Sequence, residues 1–407
     1  FTFAYDLSVT NVCLGKIVGN WGSKCTVNRV DTVIIDASTA RKGGGLTVAY
    51  ELVRRLPNWP NIDWQVLASR ELIQLLGDDD VRNVTLYATS DSRCATIRHF
   101  RRWLDLKNLL RFTNANAVLY LGNYGFHIGC RPSIVVVQLD LDAADYANSF
   151  RSYVVRHLIH SRIRRSVLNA QNIVVVSDHI GEQLIDRFGC DPLLIRTVSL
   201  AGGLDVTDAK DASLAYLSDW MPYIFAVSGV QDYKNLQVLL DAAHMLSRRS
   251  ASGIKLVIAG VDEATAREKG YRYDSSVIWA GQIPRSSLPS VYQNAEIYVH
   301  HSMAESFALP ILEAMECDTL AIATDTAWAR SVYKGVVPTF QPNAFDLLVV
   351  IEHFLKDESR RQEVVERQRV FSKRFTWDRM SEELVSAVMD ILKDSANAAA
   401  ISTSIVS

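Results

Sequence analysis

The chain has 407 residues, 48% of them hydrophobic and 22% charged, with a formal net charge of -2. That length suits two domains of ordinary size, and the balance excludes collagen-like, disulfide-scaffold and disordered classes. A near-neutral total gives no global reason to expect nucleic acid as a partner.

Residues 1–30 read as an N-terminal extension with no assignable role. Asp6 and the lack of a basic start argue against a signal peptide. No apolar run reaches the roughly 18 residues needed to span a bilayer. Cys13, Cys25, Cys94, Cys130, Cys190 and Cys317 are scattered, with no metal-ligand spacing. They read as reduced thiols of a cytoplasmic protein.

From residue 31 onward, short β-branched runs alternate with helical stretches. Strands are expected at Thr32–Ala37, Asp63–Ala68, Val84–Ala88, Ala117–Leu121, Ile134–Gln138, Ile173–Ser177 and Ile195–Ser199. Several are apolar almost throughout, as strands covered on both faces must be. Between them, Val48, Leu52 and Leu56 recur at helical spacing. A polar segment at 206–221 reads as a linker. The pattern then resumes with strands at Tyr223–Ser228, Lys255–Ala259, Ser276–Ala280, Glu296–His300 and Thr319–Ala323. This alternation predicts an α/β protein with two Rossmann-like, doubly wound parallel sheets. The domains are expected at 31–205 and 222–376, followed by a helix over 377–393 and a frayed tail over 394–407.

Chemistry concentrates at three turns. The first follows the first strand, where Gly43, Gly44 and Gly45 open a helix. Backbone without side chains can approach a diphosphate there, although a plain flexible turn has the same composition. The spacing is not the dinucleotide fingerprint G-x-G-x-x-G, which disfavours a dehydrogenase. The second is Val227-Ser-Gly-Val-Gln-Asp-Tyr-Lys-Asn-Leu236. It sets Lys234 at a helix entrance, able to hold a leaving diphosphate or simply solvated. The third is the run from His301 to Met315, with Glu305 and Glu313 eight residues apart and Pro310 placed to open a helix. Two carboxylates beside a helix N-terminus suit sugar hydroxyls and phosphate respectively.

The stretch Glu305-Ser-Phe-Ala-Leu-Pro-Ile-Leu-Glu-Ala-Met-Glu-Cys-Asp-Thr-Leu-Ala-Ile-Ala-Thr-Asp325 resembles the signature of family-four retaining glycosyltransferases. The runs Gln231-Asp-Tyr-Lys-Asn-Leu236, Ala280-Gly-Gln-Ile283 and Phe375-Thr-Trp-Asp-Arg379 are similar to further landmarks of that family. The resemblance covers roughly 31–393 and is specific in the second half. It implies a GT-B fold with an interdomain cleft and a last helix crossing back to the first domain. It also implies a nucleotide diphosphate sugar donor held by the second domain, with the acceptor on the first. In that reading Glu305 contacts the donor sugar, Glu313 the ribose and Lys234 the diphosphate. Ser228, Ile283, Ser306, Phe307, Ala308 and Leu309 complete the donor site, with Gly44 and Gly45 facing it. The activity implied is a metal-independent, retaining hexosyl transfer to a glycan or lipid-linked glycan, with no cofactor. A nucleotide-sugar epimerase or hydrolase, or a non-catalytic glycan-binding scaffold, would share the fold.

Three departures stand out. Gly229 replaces a common arginine, Ser306 and Ala308 replace the two glycines of E-G-F-G, and the glycine near Asp318 is absent. Gln138-Leu139 falls where relatives carry His-Asp. Gln138 and Asp140 are acceptor-side candidates. The Asp140-Leu-Asp142 triplet spells the metal-binding D-x-D of other glycosyltransferases, but it lies away from the donor motifs, and no metal is expected. His300 and His301 are adjacent on a strand and cannot share one ion. Arg98–Lys107 and Arg151–Arg165 are basic helices that suit an anionic membrane surface or stand as solvated faces. The chain is therefore expected in the cytoplasm, peripheral to the inner membrane face.

Overall fold

The computed structural model describes residues 30–77, 81–89, 94–126, 128, 131–146, 150–204, 217–249 and 253–406. The expected N-terminal extension and most of the expected linker lie outside these residues. Asp31–Ser407 forms one compact unit built on two parallel sheets.

The first sheet has seven strands: β1 (Asp31–Ala37), β2 (Ile62–Ala68), β3 (Val84–Ala88), β4 (Ala117–Tyr120), β5 (Ser133–Val137), β6 (Asn172–Val175) and β7 (Ile195–Thr197). Their spatial order is β3-β2-β1-β4-β5-β6-β7. The second has six: β8 (Tyr223–Val227), β9 (Lys255–Ala259), β10 (Val277–Gly281), β11 (Ile297–His300), β12 (Ala321–Thr324) and β13 (Thr339–Phe340), in the order β10-β9-β8-β11-β12-β13. All pairs are parallel, in register such as Val33 with both Trp64 and Ala117. Two doubly wound sheets are the architecture that the alternating pattern predicts.

Twelve of these strands match the expected set within one or two residues. The two-residue β13 is too short for any periodicity to reveal. The strand expected to end at Ser177 stops at Val175, because Ser177 leaves the sheet in extended conformation to precede the helix Asp178–Phe188. In each sheet the order reverses beside the first strand, between β1 and β4 and between β8 and β11. Ligands of such sheets bind outside the strand C-termini at that reversal.

The last helix, Trp377–Val406, continues through the segment expected to be a tail. It packs against β4, β5, β6 and the helix Gly43–Val53. Arg55 Nε reaches Asp378 Oδ1 at 2.6 Å, fixing its start to the first domain. Met380, Leu384, Ala387, Val388 and Ile391 are buried, and their three- and four-residue spacing makes one apolar stripe.

The domains also touch directly at the base of the cleft. Ser177 Oγ donates to the Ser306 carbonyl at 2.7 Å, and the His179 N–H donates to Ser331 Oγ at 3.1 Å. Where the chain leaves the first domain, Glu316 accepts from the Gly203 N–H at 2.9 Å. Arg285 donates to the Gly203 carbonyl at 2.9 Å from the other side. No helix among the described residues is long and apolar enough to cross a membrane.

Candidate donor cleft

A cleft of about 1130 Å³ separates the sheets and takes its walls from both. The turns after β8 and β11 and the start of the helix Leu309–Glu316 form one side. The turn after β1 faces them. The helix Leu309–Glu316 has Pro310 in its first turn and no side chain capping its N-terminus. Pro310 carries no N–H and the Ile311 N–H donates to the Ala308 carbonyl at 3.0 Å, so what the helix start offers the cleft is chiefly the positive end of its dipole.

Glu305 and Lys234 meet on this side. Lys234 Nζ lies 2.5 Å from Glu305 Oε1, and His300 Nε2 lies 3.2 Å from the same oxygen. Burial works to raise the Glu305 pKa, but the Lys234 charge and the His300 hydrogen bond hold it well below the usual carboxylate range. Burial works equally against the Lys234 ammonium, and Glu305 outweighs it, so its pKa rises. Both groups are ionised at neutral pH. Tyr233 lies under the lysine, its ring centroid 5.4 Å from Nζ.

Glu313 sits one turn into the helix and is buried. Tyr292 donates its hydroxyl to Oε2 at 3.1 Å, and Arg285 Nη1 approaches Oε1 at 3.4 Å. Burial raises its pKa against the pull of Arg285. Arg285 thus joins the Glu313 carboxylate to the crossover carbonyls of Gly202 and Gly203.

The turn ahead of the helix is held from beneath. Tyr333 donates to the carbonyls of Phe307 and Ala308, at 2.8 and 2.9 Å. Ala308 has φ +61°, and Asp318, just past the helix, has φ +55°. Both stand where the family usually keeps glycine, and the left-handed conformation explains the family preference. At Gly229, the atoms nearest an added Cβ are Oε1, Cδ and Nε2 of Gln231, the far end of a flexible side chain. Ser228 is buried in the same turn, with Oγ 3.0 Å from His301 Nε2.

Gly44, Gly45, Ser228, Lys234, Glu305, Ser306, Phe307, Ala308, Leu309 and Glu313 all line the cleft. An added Cβ on Gly44 would touch Leu309 Cδ1 at 3.4 Å, so the glycine turn comes close to the helix start. Ile283 does not line the cleft. It packs against the core, and Arg285 and Leu288 provide that part of the wall. Gln138 lines the first-domain side, its amide donating to the Leu121 carbonyl at 3.0 Å.

Asp140 is buried behind that wall rather than on it. Its Oδ1 accepts from the Asp142 N–H and from Gln183 Nε2, each at 2.8 Å, and Oδ2 lies 3.4 Å from His179 Nε2. Asp140, Asp142 and His179 could bring ligand atoms within 4.8 Å of one another. Asp142, however, is paired with Arg187.

Sequence reasoning gave His300 and His301 no ligand role and assigned none to Tyr233 or Arg285. The adjacent histidines reach different partners because a strand alternates its faces. One orients Glu305 and the other orients Ser228. Their position directly before the Glu305 turn was the available signal.

Residues 218–371 match the family model of group 1 glycosyl transferases. That match spans most of the second domain. Over 245 residues the chain is 26% identical to O-antigen chain mannosyltransferase B of Escherichia coli, covering 57% of this chain and 64% of that protein. Over 260 residues it is 23% identical to a phosphatidyl-myo-inositol mannosyltransferase of Mycolicibacterium smegmatis, covering 62% and 67% respectively. The match to the first of these relatives thus spans just under two thirds of its length. Among solved structures, Anabaena HepE in complex with UDP and glucose superposes with a TM-score of 0.66 at 13% identity, covering 88% of this chain and all of that one. A sucrose-phosphate synthase from Thermosynechococcus elongatus gives 0.68 at 14% identity over 89% of this chain and all of that one. Likeness at such identity concerns the fold, and the fold is GT-B.

Proposed function

We propose that the chain transfers a hexose from a nucleotide diphosphate sugar to a sugar hydroxyl of a glycan or lipid-linked glycan, with retention at the anomeric carbon. The observation that carries this reading is the Lys234–Glu305 pair beside an uncapped helix start in the cleft. The lysine and the positive end of the helix dipole oppose the charge that grows on the departing diphosphate. Glu305 stands where the transferred sugar would lie, and Glu313 is placed to accept from ribose hydroxyls.

Retention follows if the acceptor hydroxyl attacks from the face the diphosphate leaves. The leaving oxygen then takes the acceptor proton, and no enzymic nucleophile is required. Counter-charge from Lys234 and the helix start makes a metal-independent reaction the natural reading. The mannosyltransferase relatives support a glycan or lipid-linked acceptor. The cytoplasmic membrane face is the proposed location. Phe100, Phe112 and Leu158 are exposed on the two basic helices and could dip into a bilayer surface.

NMR of the product mixture tests the central claim. The product must keep the anomeric configuration of the donor, and an inverted product would overturn retention. Turnover unaffected by EDTA supports metal independence. Release of free nucleotide without any acceptor would favour the epimerase or hydrolase reading.

A further inference from the structure

A second cavity, of about 250 Å³, lies wholly within the first domain, beside the cleft. The two share Thr39, Tyr124 and Arg162 as walls. Four arginines line it: Arg41 before the glycine turn, Arg98 and Arg102 on the helix Ala95–Thr113, and Arg162 on the helix Phe150–Val167. The basic helices therefore turn part of their charge inward, onto one spot.

Arg102 is almost fully buried at 5% exposure. Its Nε is held by Asp36 at 2.9 Å and its Nη2 by the Tyr124 carbonyl at 3.0 Å. Those two bonds fix the guanidinium and leave Nη1 buried without a hydrogen-bond partner. Thr89 Oγ1 and His99 Nδ1, from two further positions on the wall, are also buried and unpartnered. Buried donors and acceptors of this kind are costly when nothing satisfies them. Tyr124 lies between two guanidiniums, with Arg102 at 4.9 Å and Arg162 at 5.7 Å from its ring. Asp36 lies behind the cavity wall, its two oxygens bonded to Arg102 and Ser38. The cavity thus presents rigid, desolvated donors in a positive field.

We propose that this cavity binds a phosphate group carried by the acceptor. A tetrahedral anion satisfies several donors at once, and a guanidinium fork suits it better than a point charge. A phosphate seated here would leave the sugar attached to it directed past Tyr124 and Arg162 into the cleft. This assignment rests on the glycosyl-transfer reading, for which it specifies the acceptor as anionic.

The test uses the full chain and mannose 1-phosphate as the probe, followed by 31P NMR titration. Binding is expected to weaken about tenfold or more in Arg98→Gln and in Arg162→Gln, and less in Thr89→Val, while Lys234→Ala leaves it unchanged. Methyl mannoside, which lacks the phosphate, is expected not to bind. Unfolding temperatures establish that each variant is folded, and Arg98 and Arg162 are partly exposed, so their loss is tolerable. Binding lost in Lys234→Ala but intact in both arginine variants would place the phosphate at the donor site and overturn the proposal. Equal affinity for methyl mannoside would overturn it too. Co-sedimentation with phosphatidylcholine vesicles containing a polyprenyl phosphate, lost in both arginine variants, identifies a lipid-borne phosphate. Binding of mannose 1-phosphate alone identifies a soluble one. If no nucleotide sugar supports transfer while arginine-dependent phosphate binding persists, the functional reading fails and the site stands. If transfer to a phosphate-bearing acceptor proceeds equally in wild type and both arginine variants, the reading stands and the site assignment fails.

Discussion

Lys234 Nζ and Glu305 Oε1 lie 2.5 Å apart, 71 residues apart in sequence, so the cleft already holds its cation paired with its acid. A diphosphate entering there competes with Glu305 for the lysine, and the sugar it brings competes with the lysine for Glu305.

That competition predicts a split between binding and turnover. Glu305→Gln should retain or improve nucleoside diphosphate affinity by freeing Lys234, and should lower kcat about 10²–10³-fold, the scale of losing one transition-state electrostatic contact. Lys234→Ala should weaken nucleotide binding as well. Calorimetry of nucleotide binding beside steady-state rates separates the two. Because the folded pKa of Glu305 is depressed, its stabilising share is present above the ordinary carboxylate range and is lost as pH falls through the folded value. Glu305→Gln should therefore flatten the acid limb of unfolding temperature against pH.

Gly229 offers a gain-of-function test. Its Cβ position meets the tip of Gln231, and its φ is not in the left-handed region. Gly229→Arg should add a charge-assisted bond to the diphosphate and tighten nucleotide binding about tenfold. Unchanged affinity in a folded variant would mean the turn does not face the phosphates.

Ala308 and Asp318 hold positive φ without being glycine. The left-handed conformation costs an L-residue about 1–2 kcal/mol, more for Ala than for Asp. Ala308→Gly should stabilise the fold by about 1 kcal/mol, since the greater chain entropy of unfolded glycine offsets part of the relief, and Asp318→Gly by less. Chemical denaturation measures both. A destabilised Ala308→Gly would show that the methyl packs usefully in the turn.

Glu316 gives the crossover a pH dependence near neutrality. Burial raises its pKa to about 7, against the hydrogen bonds from Leu204 and Gly203. A folded pKa above the unfolded one means the folded chain holds the proton longer. Stability from this group is thus full below the unfolded value near 4.5 and declines as pH rises through about 7. Glu316→Gln keeps a carbonyl acceptor for the Gly203 N–H and should remove that decline. Its unfolding temperature should exceed wild type at pH 8 and match it near pH 5.

Much of this molecule was legible along the chain. Twelve strands, the helix opened by Pro310, and the placing of Glu305, Glu313 and Lys234 in second-domain turns all follow from local chemistry. Strand and helix periods, a proline's fixed φ and short turn motifs act over a few residues, and sequence carries them directly.

What sequence left open depends on distances between elements far apart in the chain. His300 and His301 gained their roles from which face of β11 each occupies. Asp140 and Ile283 turned out to lie behind the wall rather than on it, which the packing of neighbouring helices decides. Arg98, Arg102 and Arg162 looked like surface charge, yet two helices far along the chain from Asp36 bring them to one cavity. The alternating apolar pattern determined the two sheets and the donor turns. Only the stacking of helices on the sheets decided which charges meet, because that convergence is set by register and crossover geometry and leaves no local trace in the sequence.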